Sequence, residues 1–351
     1  MKTKIHHLPE TALSLKLYIL IALFLCLGIV PSEAQTLSNS GSSEETIVSD
    51  KPATTPTTSI KKNQKYVVIT GVRFAYPLVQ KWIDDYNKEN PDVQVIIESR
   101  GSADPAKYDI LIEAYDKDVE LLKSREYVYI ARYAVLPVAN GKSEFAKTYA
   151  DKGLNRELIN QLYFHDIFAD KENQKEIKSP FTIYTRLQKA GAPVTFAKYF
   201  GHEHKDIVGK SIAGSDEHLL KAVLRDSTSV SYLPLTLAYD HASKKPVDGL
   251  SILPVDLNGN GKVNDDEKFY GDLTSVIQQL EDKSLKEINN IPVEYIHMSV
   301  DRTNGSPEAI SFLRWIIRNG QDDLHAFGYL KPEASRFEAD KFEQFASKRL
   351  K

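Results

Sequence analysis

Cysteine is nearly missing from this sequence: its 351 residues contain one, Cys26. Cys26 lies inside an N-terminal leader, so the mature chain would have none, which excludes a disulfide framework and a thiol nucleophile. Excess charge is missing too. There are 45 lysines and arginines against 48 aspartates and glutamates, a net charge of −3, whereas a general nucleic-acid or acidic-membrane binder is normally basic. The conspicuous apolar run, residues 17–30, has 14 residues, short of the ~20 that a spanning helix requires. Hydrolase signatures are absent as well. There is no Gly-X-Ser-X-Gly elbow, and His202-Glu203-His204 sets its histidines two apart rather than four. Gly209-Lys210-Ser211 has His204 where a phosphate-binding P-loop needs glycine. What is present is ordinary for a soluble folded body: 42% hydrophobic, 26% charged and 10% aromatic residues.

The chain opens with Lys2, Lys4 and Lys16, continues as LYILIALFLCLGIV and ends this region with Ser32-Glu33-Ala34. That is the pattern of a secretory signal peptide, with small residues at the −3 and −1 positions. Cleavage after Ala34 leaves 317 residues; it removes three lysines and two glutamates, which takes the net charge to −4. The protein is therefore expected in the periplasm or secreted, with lipid attachment at Cys26 as the minority route. Residues 35–64 are rich in Ser, Thr and Pro and nearly free of large apolar side chains, so they read as a disordered tether.

At Lys65 the pattern changes. KYVVITG reads as a strand ending at a glycine, and Leu78, Val79, Trp82, Ile83 and Tyr86 then recur at helical spacing across residues 77–88. VQVIIES and YDILIEA read as two further strands, with a glycine turn at Gly101 between them. Such alternation predicts a parallel α/β sheet, with ligand loops at the carboxyl ends of its strands. RYAVLPVAN, SVSYLPLTLA and VEYIHMSV also read as strands, the first and third as crossings between lobes. SPEAISFLRWIIRN carries a helix start at Ser306-Pro307-Glu308 and stops at Gly320.

The segment TGVRFAYPLVQKWIDDYNKENPDVQVIIESRGS, with TRLQKAGAPVTFAKYFG, YLPL and WIIRNGQDDLHAFGYLKP further on, resembles the phosphate-binding (PstS-like) periplasmic solute-binding proteins of ABC importers. The resemblance spans residues 65–332 and implies a two-lobed type II periplasmic-binding-protein fold. Its hinged α/β lobes would be residues 65–131 with 291–351, and residues 132–290. It also implies a monomer that binds without chemistry, capturing phosphate or a related oxyanion in the cleft for an ABC permease in the membrane. Matched by position, the chain keeps Ser102, Arg186 and Gly191 of the family's anion-binding pattern. It places Arg73, beside Phe74, where the family has a hydroxyl, and Ala114, beside Glu113, where the family has an aspartate. Ala190 and Ala192 stand for a serine and a threonine. Without that aspartate the reason to prefer a protonated anion disappears, and Arg73 with Arg186 would clamp a fully ionised or organic anion through donors alone.

One motif lies outside this pattern. Asp256, Asn258, Asn260, Lys262, Asn264 and Glu267 occupy positions 1, 3, 5, 7, 9 and 12 of a calcium-loop spacing, with Gly261 at 6 and Val263 at 8. Asparagine and carboxylate oxygens, the Lys262 carbonyl and both Glu267 oxygens would form the shell. The residues before it, SILPV, read as a strand rather than an entering helix, so a stand-alone Ca2+-binding insertion pinning the second lobe is expected. Two rivals remain: a calcium-bearing surface interaction module whose pocket is degenerate, and a hydrolase working through paired carboxylates.

Overall fold

The alternation of strands and helices is realised as one mixed sheet. The computed structural model describes residues 64–99, 104–115, 123–165, 180–283 and 288–351; the leader, the tether and Ser102 lie outside them. The strands are β1 (Lys65–Gly71), β2 (Val93–Ile97), β3 (Ile110–Glu113), β4 (Arg125–Asn140), β5 (Thr182–Arg186), β6 (Lys210–Ile212), β7 (Ser229–Pro234), β8 (Leu250–Ile252) and β9 (Val293–Asp301). They order as β2-β1-β3-β9-β4-β7-β5-β6, with β8 on β4. The helices are α1 (Tyr76–Glu89), α2 (Glu144–Lys152), α3 (Arg156–Phe164), α4 (Gly191–Tyr199), α5 (Asp216–Arg225), α6 (Leu235–Ala238), α7 (Leu273–Glu281), α8 (Pro307–Asn319) and α9 (Ala339–Arg349). Among the described residues no helix is long and apolar enough to cross a membrane.

The expectation of a parallel sheet holds only on the flanks. β1 pairs in parallel with β2 and β3, and β5 with β6 and β7, because a connecting helix returns each strand in the same direction. The centre is antiparallel. β4 pairs with β9 over Arg125–Ala134, then with β7 and β8 over Val135–Asn140. One 16-residue strand thus runs from one half of the sheet into the other, with β9 returning beside it. β4 starts seven residues earlier than RYAVLPVAN suggested, and the SVSYLPLTLA strand stops at Pro234, where α6 begins.

Both tryptophans lie on helices facing the core, as their spacing predicts. Trp82 of α1 is fully buried, and its Nε1 donates to the Gly320 carbonyl at 3.0 Å, tying α1 to the end of α8. α8 is capped by Ser306, whose hydroxyl accepts from the Ala309 amide, the arrangement a Ser-Pro-Glu start encodes. At the end of β1, Gly71 has φ +146°, and a Cβ there would lie 2.0 Å from the Ile112 carbonyl oxygen. Gly71→Ala should therefore destabilise the protein by about 2–3 kcal/mol through backbone strain, a loss that urea unfolding would register.

Candidate functional site

The carboxyl ends of the parallel strands from both halves converge on a cavity of about 420 Å3. β1 contributes Thr70 to Arg73, and β3 leads to Glu113, Ala114 and Tyr115. β5 supplies Arg186 and leads into Gln188 and Lys189, and the starts of α4 and α5 bring Gly191 and Asp216. This is the crevice that strand–helix alternation predicts at carboxyl strand ends.

Arg186 is the central group. It is 8% exposed, and its Nη1 donates to Asp216 Oδ2 at 2.9 Å, while Asp216 is 3% exposed. Burial pushes the Asp216 carboxyl upward, and the Arg186 charge and hydrogen bond oppose that shift. One donor and one acceptor of the pair, Arg186 Nε and Asp216 Oδ1, are shut from solvent without a hydrogen-bond partner. Such atoms each cost about 1–3 kcal/mol when left unmade. The Arg186 backbone is itself anchored: its carbonyl lies 2.9 Å from His204 Nε2, and Thr185 Oγ1 lies 2.7 Å from the buried Tyr232 hydroxyl. The histidines excluded as a zinc site thus do other work. His204 holds the β5 terminus, and His202 stacks on Phe164 at 4.1 Å.

Gly191 opens α4, where the Gly191 and Ala192 amides have no partner within the helix, Pro193 has no amide hydrogen and Val194 donates to the Ala190 carbonyl; the N-cap, Ala190, supplies no side-chain hydrogen bond. A Cβ on Gly191 would lie 2.7 Å from Ala114 Cβ and 3.2 Å from Phe74 Cε1. Only glycine lets the α4 start touch the β3 end. The Tyr133 hydroxyl reinforces that contact, donating to the Ala114 carbonyl at 3.0 Å and lying 2.6 Å from Thr195 Oγ1 of α4.

Of the residues the sequence singled out for an anion, Arg73, Arg186 and Gly191 line this cavity together. Arg73 stands exposed at its edge, with Nη2 donating to the Ser99 carbonyl at 3.1 Å. Phe74 is 2% exposed and packs beneath the cavity, its ring 5.0 Å from that of Tyr133. Ser102 lies outside the described residues. Asp216 was missed. It sits directly after the Ser215 cap of α5, where an acidic residue reads as helix capping, and only the fold turns it toward Arg186. Glu113, the neighbour of Ala114, also lines the cavity and is held by the buried His297, with His297 Nε2 3.2 Å from Glu113 Oε2.

The six calcium-loop residues form one turn. Asp256 Oδ1 accepts from the Gly259 and Asn260 amides and Oδ2 from the Gly261 amide. Glu267 Oε1 accepts from the Leu257 and Asn258 amides and Oε2 from the Asn264 amide. Asn258 and Asn260 each accept from the amide two residues on, that of Asn260 and that of Lys262.

Fold and cleft together define a mixed α/β protein with a crevice at the carboxyl ends of its parallel strands. No family model matches the chain. Over 341 residues it is 23% identical to the phosphate-binding protein PstS of Methanocaldococcus jannaschii, covering 78% of this chain and 84% of that protein. A candidate phosphate ABC transporter substrate-binding protein with bound phosphate from Clostridium perfringens superposes with a TM-score of 0.58 at 16% identity, over 77% of this chain and 100% of that one. An ABC-type phosphate transport receptor from Vibrio cholerae superposes with a TM-score of 0.53 at 12% identity, over 76% and 100% of the two chains. The fold is thus that of the phosphate-binding substrate-binding proteins, as the sequence resemblance implied.

Proposed function

We propose that this protein captures phosphate, or a related oxyanion that retains a proton, outside the cytoplasmic membrane and presents it to an ABC permease, as a monomer and without chemistry. The observation that carries this reading is a buried arginine, Arg186, lining the same cavity as the open N-terminus of α4. A guanidinium and helix amides supply the donors that an oxyanion needs. Arg73 and Lys189 add positive charge along the cavity wall.

Preference for a protonated anion returns by a different route from the one that the substitution at Ala114 removed. Asp216 and Glu113 both line the cavity, and a carboxylate repels an oxyanion unless a proton lies between them. Hydrogen phosphate can donate that proton, and sulfate cannot. Asp216 Oδ1 and Arg186 Nε, one acceptor and one donor, are both left without a hydrogen-bond partner within the protein. The similarity to proteins named for phosphate binding supports the same ligand.

Calorimetric titration of the full chain in phosphate-free buffer should give one-to-one phosphate binding and at least tenfold weaker sulfate binding, a difference of about 1.4 kcal/mol. Asp216→Asn should narrow that gap. Equal affinity for both anions overturns the proton-based selectivity; no heat from folded protein overturns the anion reading and favours an interaction module with a degenerate pocket.

A further inference from the structure

We propose that residues 256–267 bind one Ca2+, a site independent of the anion cleft. Only two carboxylates meet there, and among the described residues no three His, Cys, Asp or Glu side chains group to hold a metal. The remaining oxygens would be those of Asn258, Asn260 and Asn264 and the Lys262 carbonyl, in the order by which a 12-residue loop surrounds this ion.

Asp256 is 2% and Glu267 3% exposed, and among the described residues neither makes an ion pair with a lysine, arginine or histidine. The nearest lysine in sequence, Lys268, pairs instead with the exposed Asp265. Carboxylates are seldom buried this deeply unless a cation accompanies them. Each carboxylate here accepts three amide hydrogens, which leaves about one of its roughly four acceptor sites unused. Asn290, 2% exposed, seats its carboxamide on the first loop position, with Nδ2 donating to the Asp256 carbonyl at 2.6 Å. Its Oδ1 is buried with no hydrogen-bond partner. One loop thus holds two buried carboxylates with no ion-pair partner, and the carboxamide that grips its first residue keeps an undonated oxygen; a hard, oxygen-seeking cation suits that set of donors.

The frame is already built to receive the ion. Asn155 donates through Nδ2 to the Gly261 carbonyl at 3.1 Å, and Asn289 through Nδ2 to the Leu257 carbonyl at 3.0 Å. Val263 packs where any Cβ on Gly153 would fall, 2.0 Å from Val263 Cγ2. The exposed arc through Asn258 and Asn260 leaves the loop open to solvent for ion entry.

The test uses the full chain stripped with chelator. Calcium titration should show one site, with a dissociation constant of about 10⁻⁴–10⁻³ M as in extracellular calcium modules. At ten times that concentration the melting temperature should rise by about 2–3 °C. Magnesium at equal concentration should give a smaller rise, because it demands a tighter octahedral shell. Glu267→Gln should weaken calcium binding at least about tenfold, and Asp265→Asn should not. If Glu267→Gln fails to fold, Asn258→Ala and Asn260→Ala, on the exposed arc, carry the same test. Absence of calcium heat and of any calcium-dependent melting shift in the wild type overturns the site, whatever the protein does with phosphate. So does a response that all these loop variants retain.

Discussion

Arg186→Ala is expected to weaken phosphate binding at least about tenfold and to unfold the protein at lower denaturant. The two losses have one origin. Arg186 neutralises Asp216 across 2.9 Å in a site where the carboxylate is 3% exposed, and removing one member of a buried pair costs about 3–5 kcal/mol because the other charge is left uncompensated. The same guanidinium is the one buried among the cationic groups lining the cavity. A charged hydrogen bond to the anion is worth about 1.5–3 kcal/mol, so one lost bond weakens binding roughly 10- to 150-fold. Replacing both partners, Arg186→Met with Asp216→Leu, should recover much of the stability and none of the affinity, since apolar residues of similar volume commonly substitute for a buried pair. Phosphate affinity that persists in folded Arg186→Ala protein would remove Arg186 from the site.

Gly191→Val should have the second large effect. The Cβ it introduces lies 2.7 Å from Ala114 Cβ and 3.2 Å from Phe74 Cε1, both on buried, packed groups, so the start of α4 must retreat from the end of β3. Overpacking of this kind costs about 1–3 kcal/mol. The retreat also carries the helix amides away from the cavity. Melting temperature and phosphate affinity should therefore fall together, the affinity by about 5- to 150-fold if the whole cost falls on the bound form. Gly191→Ala supplies the control, because its single extra methyl group meets Ala114. Adding Ala114→Gly should restore both properties. Failure of that pair to rescue would show that Phe74, not Ala114, sets the close approach at this position.

The substitutions that set this chain apart from its resemblance acquire a physical reading from these contacts. A Cβ on Gly191 would lie 2.7 Å from Ala114 Cβ, so the two positions are small together. The carboxylates instead reach the cavity from the preceding residue, Glu113, and from Asp216 across the cleft. The expected clamp of two arginines places its members in unlike surroundings. Arg73 is solvated at the edge and gives one donor to the Ser99 carbonyl, whereas Arg186 is buried and half committed to Asp216.

By itself the sequence determined what local rules control. Period-two burial in KYVVITG, the apolar stripe of α1, the Ser306 cap and the glycine stop of α8 all depend on residues within a few positions of each other. So does the spacing of residues 256–267, where backbone amides fold onto Asp256 and Glu267. Tertiary structure alone decided the antiparallel centre, because β4 and β9 are separated by more than 150 residues and their direction follows from the chain crossing between halves. It alone decided that Asp216, 30 residues from Arg186, is its partner. Periodicity marks which face of a helix or strand is buried, but which charge meets which inside the fold is set by sheet order and register, and those emerge only when the whole core packs.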